Sequence, residues 1–188
     1  MPQRATSLTR DDILRGLGCI NSFLEAREVR GEICIFDGAC LCLAFLARTS
    51  TKDVDAVFEP AAIIRKAAFE TAGELGWNWN WLNDDVKGFL SPKIAGARER
   101  LEIPEFSHLK VYAPRPAYLL AMKILSARIG DQEEPSPDLS DAVWLCRKLQ
   151  IRDRDASSRI VGDYYPDTSL PERADFFIGE VVSQLDQG

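Results

Sequence analysis

The pattern that most restricts how this chain can fold is a pair of short apolar segments separated by a helix-sized segment. Residues 32–37 contain the run ICIF, which predicts a buried strand. Asp37 and Gly38 predict a turn, and the apolar residues 39–47 predict a short buried helix. Residues 53–58, with the sequence DVDAVF, predict a second strand. A strand, a helix and a strand in this order indicate an α+β domain, close to the α/β class, with a short mixed sheet.

Helical spacing dominates most of the remaining sequence. Helices are predicted at 10–28, 60–75, 117–129, 138–149 and 171–185, a third strand at 109–113, an irregular segment or short helix at 77–90, and an acidic loop at 131–137. We therefore expect an α/β core over residues 1–115. A helical C-terminal region over residues 116–188 is expected to pack on it as part of one compact unit.

Composition and charge exclude several classes of protein. The chain has 188 residues, of which 46% are hydrophobic, so it is long enough to bury one ordinary core. Its net charge of -6 argues against broad, non-specific nucleic-acid binding, although a local basic groove stays possible. The first residues carry no apolar signal region, and the longest apolar run is too short to span a bilayer. A cytoplasmic protein that does not insert into membranes is expected.

The five cysteines are predicted to be buried thiols in a reducing compartment. Their number is odd, and most lie in apolar runs. Cys40 and Cys42 form a C-x-C pair, which is one possible half of a metal site. No second cysteine or histidine pair follows, and His108 is the only histidine. Small core side chains on a helix are therefore the favoured interpretation.

The acids of the second predicted strand are the candidate metal ligands. Asp53 and Asp55 alternate along it, so both carboxylates point to one face. Like charges so close are costly unless a cation neutralises them, and Mg²⁺ binds one or two carboxylates together with substrate phosphates. Gly38 would let backbone N–H groups and the helix N-terminus approach a phosphate. The alternative is two solvated acids on an exposed strand face.

The segment IFDGACLCLAFLARTSTKDVDAVF resembles the signature of the DNA polymerase β-like nucleotidyltransferase superfamily, in which a glycine turn and a helix precede a D-x-D strand. Its R-x-S-T-K-D-V-D form is most similar to a bacterial subgroup with the AbiEii-type abortive-infection toxins. WLNDDVKGFLSP, the helix in APRPAYLLAMKILSAR and the acids of DLSD also resemble that subgroup. The resemblance covers residues 30–150.

The resemblance implies a nucleotidyltransferase fold: a short mixed sheet flanked by helices, with a helical C-terminal region. It implies transfer of a nucleoside monophosphate from an NTP to a hydroxyl of RNA, protein or a small molecule, with Mg²⁺ as cofactor. Asp53 and Asp55 would be catalytic and hold the metal. The implied nucleotide-binding residues are Asp37, Gly38, Ala39, Lys52, Lys123 and Arg128. Implied partners are the NTP, an RNA acceptor, and a cognate antitoxin or other protein, if the chain is a toxin.

Two departures from the family pattern leave a second function open. Asp37 stands where the family usually has the first glycine of the turn, and an acid there repels a triphosphate. Full enzymes also have a third carboxylate on a neighbouring strand, which the segment LKVYA does not supply. Possible substitutes, among which spacing does not choose, are Glu59, Asp84, Asp85, Glu102 and Glu105. The alternative is a catalytically degenerate protein that keeps the fold as a nucleotide-binding or protein-interaction module.

Several further side chains have two interpretations each. Lys123 either reaches the nucleotide or packs its stem on the core with its amine in water. Arg48 and Lys52 either contact phosphate or are ordinary surface charges. Asn83 and Asp84 either turn toward the site or cap a short helix.

The tryptophans 77, 79 and 81 alternate with asparagines. They either stack on a base or cover the core from an edge segment, and the second interpretation is favoured.

Overall fold

A computed structural model of the chain describes residues 7–127 and 136–187. The α-helices within these residues are α1 (Arg10–Glu25), α2 (Asp37–Leu43), α3 (Ala61–Leu75), α4 (Pro116–Ser126), α5 (Pro137–Leu149), α6 (Arg154–Tyr164) and α7 (Glu172–Asp186). The strands are β1 (Leu8–Thr9), β2 (Gly31–Ile35), β3 (Ser50–Thr51), β4 (Val54–Glu59), β5 (Leu82–Asn83), β6 (Arg98–Arg100) and β7 (Leu109–Pro114). The fold is therefore mixed α and β, as predicted.

The described chain divides into two compact units. The first unit comprises the described residues up to Gly88 together with Arg98–Pro114. The second unit comprises Phe89–Ala97 and the described residues from Arg115 onward. All strands lie in the first unit, and the second unit contains the helices α4 to α7.

The first unit is built on a five-stranded mixed sheet with the order β5-β4-β2-β7-β6. β2 is antiparallel to β4 and parallel to β7, β4 is parallel to β5, and β6 is antiparallel to β7. The ends of β2 and β7 and the beginnings of β4 and β5 therefore meet at the same edge of the sheet. That edge positions the acids of the D-x-D segment.

Local sequence explains the main elements of the first unit. The Thr9 side chain accepts a hydrogen bond from the backbone N–H of Asp12, whose carboxylate bonds back to Thr9 in a capping box at the start of α1. Gly76 ends α3 with a φ of 69°, a left-handed conformation that glycine adopts without steric cost. Along β4, Val54 and Ala56 are buried, which is the alternation expected of a strand with one face on the core.

Some elements differ from the sequence prediction. α2 begins at Asp37 and ends at Leu43, so it is shorter than the predicted helix. Ser50–Thr51, in a polar stretch, forms β3 and pairs with β1. The sequence does not predict α6, because RDASSRIVGDY has few apolar residues. In the structure this helix buries only Ser157 and Val161. Most of the acidic loop expected at 131–137 lies outside the described residues.

The second unit holds the segment Phe89–Ala97 against its helices through side-chain hydroxyl groups. The hydroxyl of Tyr118 on α4 accepts a hydrogen bond from the backbone N–H of Ser91 at 2.9 Å. Ser91 in turn donates its hydroxyl to the backbone carbonyl of Tyr164 at 2.6 Å. The Tyr165 hydroxyl donates to the carbonyl of Phe89 at 2.6 Å. These bonds explain why the segment belongs to the helical unit although the strands before and after it do not.

Candidate active site

Asp53 immediately precedes β4, which begins one residue later than predicted, and Asp55 is the second residue of the strand, at the sheet edge where β2 runs into α2. The backbone N–H of Phe36, the residue after β2, donates a hydrogen bond of 2.8 Å to the carbonyl of Asp55. Both aspartates are half-buried, while Val54 between them is fully buried. The alternation predicted from the sequence is therefore present.

The setting of these two carboxylates disfavours their charged forms. Burial is the main cause that raises the pKa of Asp55 to about 6, and the charges of Asp53, Asp37 and Asp85 add to it. Burial also raises the pKa of Asp53, helped by the charges of Asp37 and Asp85 and opposed by Lys52. The charges of Asp37 and Asp85, both in the first unit, thus act on the Asp53–Asp55 pair.

Asn83 is the polar partner of Asp55. Asn83 lies opposite Asp55 in the parallel pairing of β5 with β4, and its side chain hydrogen-bonds to the Asp55 carboxylate, which lowers the pKa of that group. The Asn83 Oδ1 accepts a second hydrogen bond from the backbone N–H of Asp85 at 3.0 Å. Both sequence interpretations of Asn83 are therefore realised at once: it turns to the acids and it caps the turn that follows.

Asp37 adopts a backbone conformation that favours glycine. Its φ is 48°, in the left-handed region that L-residues other than asparagine and aspartate rarely occupy. This is the position where the family resemblance leads us to expect glycine. Asp37 is half-buried, and its charge raises the pKa of both Asp53 and Asp55.

Gly38 is buried, and its missing side chain leaves room for two polar groups of the same unit. A Cβ at this position would lie 2.7 Å from Nη1 of Arg48 and 2.8 Å from Oγ1 of Thr51. The close approach of the Arg48 and Thr51 side chains thus favours glycine here. The sequence instead explains Gly38 by the approach of a phosphate. Ala39 is buried within α2, and Lys52 is exposed beside Asp53.

The structure distinguishes among the five candidates for a third carboxylate. Asp85 is exposed, and its charge raises the pKa of both Asp53 and Asp55. Asp84 instead forms ion pairs with Arg65 and Lys87. Glu59, Glu102 and Glu105 are exposed, and none of them is among the groups that shift the pKa of the pair.

The spacing of the acids sets a limit on metal binding. Within residues 7–127 and 136–187, neither Asp53 nor Asp55 belongs to a set of three acidic, histidine or cysteine side chains whose ligand atoms all lie within 4.8 Å of one another. The described residues therefore offer the Asp53–Asp55 pair here without a third side-chain ligand in a tight cluster, although the charges of Asp37 and Asp85 reach the pair. Such a pair suits an ion whose remaining ligands come from phosphate oxygens and water.

Lys123 lies in the second unit, on the inner face of α4. Its side chain is 3% exposed, and its Nζ lies 2.9 Å from Oδ1 of Asp138 and 2.8 Å from Oδ2 of Asp141. Asp141 is equally buried. Lys123 is thus a buried, doubly paired ammonium, not a lysine with its amine in water. Arg128, the other cation that the resemblance implies for the nucleotide, lies outside the described residues.

The three clustered tryptophans separate into two groups. Trp77 and Trp81 are buried and contact each other edge to face, with ring centroids 5.1 Å apart. The indole N–H of Trp81 donates to the carbonyl of Ala68 at 2.9 Å. Trp79 is 60% exposed. Core packing therefore explains two of the three, and Trp79 needs another explanation.

Comparison of the chain with models of known protein families, with curated proteins and with solved structures gives no match. Function must therefore be argued from the chemistry of the site. In the described ranges, no helix combines the length and apolar character that crossing a bilayer requires.

Proposed function

We propose that this protein binds a nucleoside triphosphate together with Mg²⁺ and transfers the nucleoside monophosphate to a hydroxyl acceptor, so that the acceptor oxygen bonds to the α-phosphorus and pyrophosphate leaves. The observation that carries the proposal is the half-buried pair Asp53 and Asp55 at the start of β4, beside the turn from β2 into α2. Burial and mutual repulsion disfavour two negative charges there, and a shared cation removes that cost.

The donor atoms of the pair fit Mg²⁺. This ion prefers oxygen ligands and is usually bound by one or two carboxylates together with substrate phosphates. Asp53 and Asp55 would hold it, and Asn83 keeps the Asp55 carboxylate oriented through its hydrogen bond. Bound there, the ion would supply positive charge to the reacting phosphoryl group.

Asp85 is the residue we assign as the base for the acceptor hydroxyl. A general base must reach the proton it removes and must be charged at the working pH. Asp85 is exposed, unlike the half-buried pair, and within residues 7–127 and 136–187 it forms no ion pair, whereas Asp84 pairs with Arg65 and Lys87. It follows β5, and its charge reaches both members of the pair, because it raises the pKa of Asp53 and of Asp55.

A second candidate function is a nucleotide-binding or protein-interaction module without catalysis. Asp37 favours it, because a carboxylate in the position of a turn glycine repels a triphosphate. Among the described residues, neither Asp53 nor Asp55 belongs to a set of three mutually close ligand atoms, which favours it too. The family resemblance leads us to propose a cognate antitoxin as partner if the protein is a toxin, and another partner protein if it is a non-catalytic module.

Incubation with each of the four α-labelled NTPs, Mg²⁺ and a cell extract distinguishes the two functions. The transferase predicts label on RNA, protein or a small molecule with the parent, and none with Asp53→Asn. Asp84→Asn is the matched control, since it removes an acid that already pairs with Arg65 and Lys87. Metal-dependent NTP binding without any transfer of label would favour the module and overturn the transferase.

A further inference from the structure

Trp79 stands at the tip of a turn whose shape is fixed by its neighbours. The backbone N–H of Trp81 donates to the carbonyl of Asn78 at 3.0 Å, and Oδ1 of Asn78 accepts from the backbone N–H of Asn80 at 3.0 Å. Trp77 and Trp81, on either side, are buried in the first unit. The turn is thus anchored at both ends, while the largest side chain on it is 60% exposed.

The turn lies at the edge of the sheet that carries the acids. β5 follows it directly and runs parallel to β4, with Leu82 opposite Val54. The backbone N–H of Val54 donates to the carbonyl of Trp81 at 2.7 Å, which places Trp81 beside Asp53. Because Trp79 is two residues before Trp81, its Cα lies within about 13 Å of the Asp53 Cα.

We propose that the indole of Trp79 stacks on a nucleobase held at the Asp53–Asp55 site. The inference rests on the proposed function, since it needs a nucleotide whose phosphates lie at the carboxylates. The base belongs either to the NTP or to the end of an oligonucleotide acceptor. Stacking on an aromatic face is tolerant of base identity. A chain of net charge -6 has little electrostatic attraction for phosphates, so an aromatic contact is a suitable source of affinity.

The rigidity of the turn makes Trp79 an efficient stacking surface. Ordering a mobile loop on binding reduces affinity, whereas a side chain presented on a fixed turn avoids that loss. The buried contacts of Trp81, including the hydrogen bond from its indole N–H to Ala68, hold the turn before any ligand arrives. The exposed ring therefore needs only its own rotamers to be restricted.

The test compares Trp79→Ala, Trp79→Phe and the control Phe176→Ala, which removes an aromatic ring of similar exposure (55%) on α7. Isothermal titration measures the Kd of each for ATP, for tripolyphosphate, which has no base, and for a five-nucleotide single-stranded RNA, all with Mg²⁺. We expect Trp79→Ala to weaken binding of ATP or of the RNA by about 5- to 150-fold. The affinity of Trp79→Ala for tripolyphosphate should equal that of the parent. Trp79→Phe should keep most of the ATP or RNA affinity that Trp79→Ala loses.

The ligand that is weakened identifies the source of the base: ATP alone assigns the NTP, and the RNA alone assigns the acceptor. If Trp79→Ala binds all three ligands like the parent, the inference is overturned while the proposed function stands. Equal weakening of ATP and tripolyphosphate overturns it as well, because the loss would not involve the base. If the parent binds neither ATP nor tripolyphosphate, both the proposed function and this inference fail.

Discussion

Asn83 links two acids of the candidate site. Its side chain hydrogen-bonds to the Asp55 carboxylate across the β4–β5 pairing, and its Oδ1 accepts from the backbone N–H of Asp85 at 3.0 Å. With Oδ1 engaged in this way, the amide nitrogen is the donor to Asp55. The bond lowers the pKa of Asp55, but burial outweighs it and raises that pKa to about 6. The charged form of Asp55 therefore lowers the free energy of unfolding, even though Asn83 hydrogen-bonds to it.

This cost predicts how stability depends on pH in the absence of metal. The pKa of Asp55 in the folded protein, about 6, lies above the value near 3.9 of an unfolded aspartate. The folded state thus binds the proton more tightly, so the stabilisation present below about pH 4 is lost as the pH rises through 6. Asp55→Asn should raise the free energy of unfolding at pH 7 by about 1–2 kcal/mol.

Urea denaturation of the parent and of Asp55→Asn, without Mg²⁺, checks this at pH 5 and pH 7. The advantage of the variant should be larger at pH 7 and should shrink at pH 5. A variant that is less stable than the parent at pH 7 would show that the carboxylate is not under electrostatic strain.

Gly16 on α1 predicts a large difference between two glycine-to-alanine substitutions. A Cβ at Gly16 would lie 2.5 Å from Cη2 of Trp81, whose ring is fixed by the hydrogen bond to Ala68. Gly16→Ala should therefore destabilise the protein by about 1–3 kcal/mol through overpacking. Gly73→Ala, on α3 with open space around it, should stabilise by about 0.5–1 kcal/mol. Thermal denaturation of both variants checks the opposite signs, and equal signs would contradict the packing described.

The buried cation of the second unit predicts a large loss of stability on its removal. Lys123→Met removes the ammonium that lies 2.8 Å from the carboxylate of Asp141, which is 4% exposed. Removing one member of a buried pair costs about 3–5 kcal/mol. The double variant Lys123→Met, Asp141→Asn should recover much of that loss, because the carboxylate still deprived of Lys123 is then that of Asp138, whose side chain is 34% exposed to water. Chemical denaturation measures both; a loss below about 1 kcal/mol in the single variant would show that water still reaches the pair.

Asp37 predicts a gain of function on substitution by glycine. Glycine adopts a φ of 48° readily, and its lack of charge removes one cause of the raised pKa of Asp53 and Asp55. Asp37→Gly should therefore bind Mg²⁺-NTP several-fold more tightly than the parent. Asp37→Asn keeps the Cβ but not the charge, so it separates electrostatics from backbone strain. Weaker binding by both variants would instead assign Asp37 a direct role as a ligand of the metal.

The sequence predicts how Asp53 and Asp55 alternate with Val54, but it predicts little of what surrounds them, for physical reasons. The alternation of Asp53 and Asp55 with buried Val54 is a short-range pattern, and a strand realises it directly. The sequence does not decide between the two interpretations of Asn83, because β5 has two residues and carries no periodic signal. The contacts of Gly38 with Arg48 and Thr51 depend on a path of the chain that no local pattern records. The nucleotidyltransferase fold itself stays a prediction from resemblance.

Local sequence also fails to predict the burial of side chains that pack against distant parts of the chain. Lys123 on an apolar helix has the pattern of a boundary lysine, and its burial depends on acids from another helix. The spacing of the tryptophans gives no means of distinguishing Trp79 from its buried neighbours. Their exposure is decided by α1 and α3, on which Trp81 packs.

Metal-dependent nucleotide binding tests the central claim most directly. Isothermal titration of ATP into the parent, Asp53→Asn, Asp55→Asn and the control Asp84→Asn should be run with Mg²⁺ and with EDTA. We predict binding by the parent and by Asp84→Asn only when Mg²⁺ is present, and a loss of at least about tenfold in both site variants. Binding that is equal in all four proteins, or unchanged by EDTA, would contradict the assignment of Asp53 and Asp55 as the metal and nucleotide site.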